Sequence, residues 1–338
     1  MQYKSAAKNI AMKSLWINVL LVLLAATFSA CGGGGGGRGM IQVVEATFYF
    51  NFYEKSCPHA EKIVKEVVLS QFKFNQGIAP GLLRLFFHDC FVEGCDASLL
   101  LDPTQDNPTP EKTAILSLSL RGYEVIDIAK QKLEAACPGV VSCADILAFA
   151  ARDSVKVTGG PSYKIKSGRR DGRVSCASQV SPNIPSAGPN ITELIDTFAA
   201  KNLSVQEMVT LSGAHTIGRA HCKSFAPIRN YAIDPAFAKC VNKVCPTKTV
   251  NNTVSLDATT PYDFDNVYFQ NLVAKKGLLP SDEILFLDPH TNMEVLRNAK
   301  HFRRWKKKFV EAMIKMGTTD LKLGTQGEIR NNCRKINS

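Results

Sequence analysis

Eleven cysteines punctuate this 338-residue chain, and ten of them lie between Cys57 and Cys333. Disulfides persist in oxidising compartments and are rare where thiols are kept reduced, so this usage points to a secreted protein stapled by disulfides. The N-terminus agrees. Lys4, Lys8 and Lys13 precede an apolar run from Leu15 to Ala30 that closes on the small residues Ser29 and Ala30, the layout of a secretory signal peptide over 1–30. The alternative is a membrane anchor, but the run is short and interrupted against the roughly 20 apolar residues that a spanning helix needs. Lipidation of Cys31 is disfavoured by the aromatic Phe28. Residues 31–41 form a Gly-rich leader whose six consecutive glycines cannot hold a packed structure, leaving 42–338 for the folded domain. No later stretch is long and apolar enough to span a bilayer. Asn190, Asn202 and Asn251 open glycosylation sequons, as a secreted chain permits.

The folded part reads as mainly α. Apolar residues recur at helical spacing over 59–74 (Ile63, Val64, Val67, Val68, Phe72), more strongly over 78–88, and again over 122–135, 142–152, 191–201 and 204–212. Phe302, Trp305, Phe309, Met313 and Met316 predict a further helix with this stripe turned inward; Arg303, Arg304, Lys306, Lys307 and Lys308 would face solvent. Loops rich in Gly, Pro, Asn and Ser separate the helices at 102–110, 157–190 and 246–263, and the longest suits a divide between two lobes. No internal repeat is visible.

Three clusters carry chemistry. Arg84 and His88 are four residues apart, hence one turn apart on a single helical face that is otherwise apolar. Such a pair can move a proton and stabilise developing negative charge; the plainer reading is an Arg at the edge of a core beside a hydrogen-bonded buried His. Next, Asp89, Asp96 and Ser98 surround Gly94 and a short Cys90-x4-Cys95 loop. Hard oxygen donors in a tight loop suit calcium. A disulfide-closed turn with solvated carboxylates is the alternative, and zinc on His88, Cys90 and Cys95 a third that an oxidising compartment disfavours. Finally, His215 sits in LSGAHTIG, flanked by small residues that leave room for a flat ligand. A neutral imidazole there can bind haem iron, though a buried structural His is the commoner case.

Longer runs go further. FY…SCP at 52–58, RLFFHDCFVEGCDAS at 84–98, LRGYEVID at 120–127, CPGVVSCADILAFAARDSV at 137–155, GRRDGR at 168–173, LSGAHTIGRAHC at 211–222, FDNVYF at 264–269, KGLLPSDEILF at 276–286 and GEIRNNCR at 327–334 follow one another. In these runs the chain resembles the secreted plant peroxidases, the class III haem peroxidase family, over nearly all of its mature length. The resemblance implies a two-lobed, mainly α fold with haem b between a distal and a proximal lobe. His88 would be the distal acid–base catalyst, Arg84 the stabiliser of O–O cleavage, and Phe87 a wall of the distal pocket. His215 would hold the iron, and Asp282 would accept its other N–H. One calcium would use Asp89, Val92, Gly94, Asp96 and Ser98. A second would use Thr216, Asp257, Thr260, Asp263 and Asp265. Pro185, with Ile184 and Ser186, matches the haem-edge segment where aromatic donors dock. The implied disulfides are Cys57–Cys137, Cys90–Cys95, Cys143–Cys333 and Cys222–Cys245, a pairing that spacing alone cannot select.

The chain departs from that pattern at several points. Ser117 stands where many members carry an Asn that accepts a hydrogen bond from the distal imidazole. His221 stands near a haem propionate where some carry Gln, and Phe86 where some carry a second His. Cys176 and Cys240 have no counterparts in the implied pairing. The implied reaction reduces hydrogen peroxide and oxidises small phenolic donors by one-electron steps outside the cell, by a monomer with neither nucleic acid nor membrane as partner. The formal charge is +11, or near +8 once Lys4, Lys8 and Lys13 leave with the signal. That charge suits acidic wall polysaccharide. It also supports a rival reading, a weakly active cationic wall protein that binds such polymers.

Overall fold

The computed structural model describes residues 47–188, 190–228 and 232–338. The signal and leader expected over 1–41 lie outside the described residues. Among the described residues the regular structure is overwhelmingly helical, and no helix is long and apolar enough to cross a membrane.

The centre is helix α4 (Cys143–Val157), buried without a break from Cys143 to Val155. Its start is fixed locally: the Ser142 hydroxyl accepts from the Asp145 N–H at 3.1 Å, satisfying an otherwise orphaned donor. Helix α1 (Ala60–Phe74) lays Ala60, Val64, Val67 and Val68 inward, and α2 (Ile78–Phe91) and α3 (Tyr123–Ala136) pack with it around α4. A buried carboxylate of α4 is paired. Asp145 takes the Arg169 guanidinium at 2.8 Å and the Tyr53 hydroxyl at 2.7 Å, which offsets the cost of desolvating a carboxylate.

Beyond the 157–190 segment, which holds strand β2 (Lys166–Ser167, antiparallel to β1, Tyr49–Phe50) and a single helical turn α5 (Val180–Asn183), come α6 (Ile191–Ala200) and α7 (Val205–Ser212). Ser204 and Glu207 close a reciprocal capping box at the start of α7. Strands β3 (Arg219–His221) and β4 (Thr253–Ser255) pair antiparallel, with His221 opposite Thr253. A small second apolar cluster gathers Phe225, Ile228, Ile233, Val241, Leu278 and Leu279 around Cys222 and Cys245.

Helices α8 (Pro235–Val244), α9 (Val267–Val273), α10 (Pro280–Leu287) and α11 (Asn292–Lys300) were not expected from periodicity; each is short, and two begin at proline. The last helix, α12 (Phe302–Met316), buries Trp305, Phe309, Met313 and Met316 as expected, but Phe302 is 36% exposed. Phe302 sits at the helix start, where it stacks on Trp305 and carries the Lys306 ammonium 4.3 Å above its ring. The cationic face is also thinner than its sequence suggests. Arg304 turns to Glu294 of α11 at 2.7 Å and Lys308 to Glu311 at 2.8 Å, leaving Arg303, Lys306 and Lys307 uncompensated by ion pairs among the described residues.

All four disulfides form in the implied pairing. Cys143–Cys333 closes a loop of 190 residues. In the chain-entropy account a loop of that order stabilises by about 5 kcal/mol, by restricting the unfolded chain. Cys176 and Cys240 are unpaired.

Candidate active site

Helix α2 delivers the distal groups. Arg84 and His88 share a face, and the guanidinium donates to the Ser119 hydroxyl at 2.9 Å and to the Leu116 carbonyl at 3.2 Å. Those contacts anchor the loop before α3 onto α2. At Gly122, in the left-handed region at φ +101°, a Cβ would come within 2.9 Å of Leu82, so only glycine lets the loop approach this closely. Arg84 is exposed, yet the surrounding apolar wall pulls its pKa below the ordinary value, as expected of a guanidinium lining a recess. His88 is 2% exposed, with the Phe87 ring edge-on at 5.7 Å and Phe91 behind Phe87 at 4.3 Å. Burial first, and then Arg84, hold the His88 imidazole well below its usual pKa. Its Nδ1 is buried with no hydrogen-bond partner, and so is the hydroxyl of the buried Ser117.

The proximal groups come from α7 and α10. Helix α7 tightens into a 3-10 turn, Gly213–Thr216, that presents His215. At Gly213 a Cβ would sit 2.7 Å from the Trp305 indole nitrogen, so the turn packs directly on that ring, whose N–H donates to Thr210 O at 3.2 Å. His215 Nδ1 lies 2.9 Å from Asp282 Oδ1, in the first turn of α10, and Tyr268 donates to the same oxygen at 2.9 Å. Burial opposes charge on His215, but the Asp282 carboxylate, through its charge and hydrogen bond, raises the imidazole above its usual value. With Nδ1 committed, Nε2 is the ring nitrogen left free, and the side chain is 37% exposed. The positive charge of Arg84 lowers the pKa of His88 and works against the rise at His215. An anchored, open imidazole and a cation–imidazole pair are the donor set that an iron porphyrin would need.

Two oxygen-rich loops flank the pair. In the last turn of α2, Asp89 Oδ2 accepts from Ala97 N at 3.0 Å while its Oδ1 is buried without a partner, as is Ser98 Oγ. Ser98 N donates to Asp96 Oδ1 at 2.9 Å, and the other Asp96 oxygen meets the Lys322 ammonium. Burial and Asp96 push the Asp89 carboxyl well above the carboxylate range. Val92 follows α2 directly, and Gly94 turns the loop at φ +97°. Beside His215, Thr216 Oγ1 lies 3.2 Å from Asp265 Oδ1, 3.3 Å from the Asp263 carbonyl and 3.5 Å from Asp257 Oδ2. Thr260 Oγ1 reaches the same Asp257 and Asp265 oxygens. Orphaned or crowded hard oxygens of this kind suit calcium.

Sequence reasoning missed Ser119, which steadies Arg84, and Tyr268, which steadies Asp282. Both act through contacts across 14 or more residues, and only folding reveals them. Pro185 is half-buried after α5, and the Ser186 N–H beside it donates to Glu193 at 2.9 Å. Of the sequon residues, Asn202 and Asn251 are exposed, and Asn190 is exposed while its side chain caps α6.

The chain matches a family model described as peroxidase over residues 64–301. It is 46% identical over 306 residues to Peroxidase 5 of Vitis vinifera, covering 87% of this chain and 93% of that relative. To Peroxidase 47 of Arabidopsis thaliana it is 48% identical over 293 residues, covering 85% and 88%. Peroxidase 2 of Zea mays is 46% identical over 295 residues, again covering 85% and 88%. With a mainly helical, four-disulfide fold and relatives of this closeness over most of its length, the chain belongs to the plant peroxidase family and is a peroxidase.

Proposed function

We propose that this peroxidase is a secreted haem b enzyme that reduces hydrogen peroxide in two electrons and oxidises small phenolic donors one electron at a time, in the extracellular wall space. The observation that carries the reading is the contrast between two imidazoles, His88 without a partner on Nδ1 and held neutral beside Arg84, and His215 anchored by a carboxylate.

Haem, when bound, would supply the two electrons that reduce peroxide and take them back one at a time from the donor. His215 Nε2 would hold that iron between a distal and a proximal lobe, near whose divide runs 157–190. Asp282, by accepting the Nδ1 proton, makes the ligand more electron-donating. On the distal side, neutral His88 takes a proton from peroxide at Nε2 and returns it to the departing oxygen, which leaves as water. Arg84 stabilises the negative charge on that oxygen. Phe87 and Phe91 wall the pocket. Phenols would dock by Pro185, each giving up one electron and one proton. One calcium would rest on Asp89, Val92, Gly94, Asp96 and Ser98, the other on Thr216, Asp257, Thr260, Asp263 and Asp265, the latter bracing the turn that carries His215. Phenol or lignin oxidation and peroxide removal are the corresponding roles, and the glycan sites would be Asn190, Asn202 and Asn251. Retention on acidic polysaccharide would rest on Arg303, Lys306 and Lys307.

The test is an absorption spectrum of the secreted protein with and without peroxide, together with guaiacol turnover and metal analysis. A Soret band that shifts with peroxide, rapid guaiacol oxidation and two calcium ions per chain are expected. Normal haem with negligible turnover would favour the rival, a weakly active wall protein. Calcium-free protein of full activity would remove both ion sites.

A further inference from the structure

The two oxygen-rich loops differ in what surrounds their carboxylates. Beside His215, among the described residues, Asp257 and Asp265 meet only hydroxyls and amides, those of Thr216, Thr259, Thr260, Val267 and Asn271. At the loop that ends α2, Asp96 meets an ammonium. One of its oxygens accepts from Ser98 N at 2.9 Å, and the other is taken by Lys322.

Lys322 arrives from the far end of the chain. The segment after α12 packs directly onto this loop: Cys95 N donates to Thr319 O at 3.1 Å, and a Cβ at Gly94 would fall 2.4 Å from Asp320 O. Arg170 N ties the segment from another side, donating to Lys322 O at 2.9 Å. Asp96 itself cannot retreat. It is fully buried, Gly172 N donates to its carbonyl at 2.7 Å, and a Cβ at Gly172 would stand 2.2 Å from the oxygen that Lys322 holds. The lysine side chain is 30% exposed, on a flexible stem. In this pair the carboxylate is fixed and the ammonium is the movable partner.

A second ammonium stands at the same loop. Lys201 Nζ pairs with Asp320 at 3.1 Å and lies 3.5 Å from the Val92 carbonyl. Two of the expected ion ligands, Asp96 and Val92, are thus already approached by cations of the chain, while Asp89 Oδ1 and Ser98 Oγ have no partner. Calcium affinity follows the charge carried by the ligands. Asp89 and Asp96 are the only carboxylates in that ligand set, and a lysine on one of them offsets half of its charge.

We propose that Lys322 sets the calcium affinity of this loop by competing, as a resident cation, for Asp96. The proposal rests on the reading above that the loop holds calcium. An incoming ion must displace the ammonium or share the carboxylate with it, and in either case it binds more weakly than Asp89 and Asp96 alone would allow. The ion at the Thr216–Asp265 loop meets no such competitor. The loop that ends α2 therefore takes up calcium in the roughly 0.1–1 mM range of extracellular modules. Asp89 directly follows His88, so this exchange occurs at the end of the helix that carries the distal pair.

The test is calcium titration of the secreted, haem-loaded protein after dialysis against chelator, read by calorimetry and metal content rather than by turnover. The parent should show one tight and one weak site, both filled at high calcium. Lys322→Gln, which removes the charge, should tighten the weak site by about tenfold and leave the other unchanged. Lys322→Arg, which keeps the charge, should leave the weak site weak. A weak site unmoved by Lys322→Gln would overturn the proposal and leave the ion site standing. Equal tightening by Lys322→Gln and Lys322→Arg would also overturn it, by tracing the effect to packing rather than charge. If neither parent nor variant binds a second calcium, the calcium reading of this loop fails, and the competitor with it. A second calcium bound by Lys322→Gln but not by the parent would support the proposal in its strongest form.

Discussion

His88 and His215 carry the same side chain into opposite surroundings. His88 is almost fully buried, has no partner on Nδ1, and is held neutral by burial and by Arg84 one turn away. His215 is partly open, and Asp282 with Tyr268 behind it commits Nδ1 and raises the imidazole against the pull of burial. An imidazole that must trade a proton needs a pKa that releases it. One that must hold a metal needs a fixed tautomer and an electron-rich free nitrogen. The difference is therefore written in what each Nδ1 touches, and removing each group should expose it.

The largest effect belongs to the anchored ring. His215→Ala should lose most bound haem and essentially all turnover, read as disappearance of the Soret band. A normal Soret band in that variant would break the comparison, because the anchored imidazole would then not be the ligand. Next comes the unanchored ring. His88→Leu should keep the Soret band but slow reaction with peroxide by at least about 100-fold, the size of general acid–base loss. Stopped-flow mixing of the variant with peroxide measures this, and an unchanged first step would remove His88 from the proton path.

The two sides were not equally legible in the sequence. Arg84 and His88 lie four residues apart, so helical geometry alone put them on one face of α2. The periodicity behind α1, α2 and α4 reads well because each of these helices buries a continuous stripe against the others. The proximal partnership spans 67 residues, from His215 to Asp282, and nothing local announces it. Asp282 rides on α10, an eight-residue helix too short to show a period. Only the family resemblance supplied that pair, as it supplied Cys143–Cys333 across 190 residues. On α12 the stripe was readable, but the pairing of Arg304 with Glu294 of the preceding helix was not. The orphaned Nδ1 of His88 lies at the same limit. Sequence shows that Ser117 is short, and the structure shows that its hydroxyl and the imidazole nitrogen are both left without partners.

That orphan allows the contrast between the rings to be narrowed by design. Ser117→Asn extends an acceptor toward His88 Nδ1 and should give the distal ring part of what Asp282 gives the proximal one. Hydrogen-bond partners that orient an imidazole are worth about 10–100-fold, and a gain of about tenfold in the rate of peroxide reaction is expected. The rate constant in Ser117→Asn and in the parent decides the matter. An equal or slower reaction would mean that the isolated Nδ1 is already satisfied in solution and that the two rings differ less than their contacts imply.

The smallest effect concerns a second carboxyl on the proximal side. Glu283 follows Asp282 and is 1% exposed, with Oε2 accepting the Gly277 N–H at 2.9 Å and Oε1 buried without a partner. Burial raises its pKa to about 7; Asp282 adds to the rise, and the Gly277 bond and Lys275 oppose it. A carboxyl whose folded pKa exceeds its unfolded value binds its proton more tightly when folded. Its contribution to stability is thus fully present below the unfolded value of 4.5 and is lost as pH rises through about 7. Glu283→Gln mimics the protonated form. Relative to the parent, its melting temperature should gain a few degrees between pH 4.5 and 7 and hold that gain above. Scanning calorimetry of the two proteins across this range reads the difference directly, because the other titrating groups are common to both. A difference that stays flat with pH would show Glu283 already charged in the folded protein, with burial failing to hold its proton.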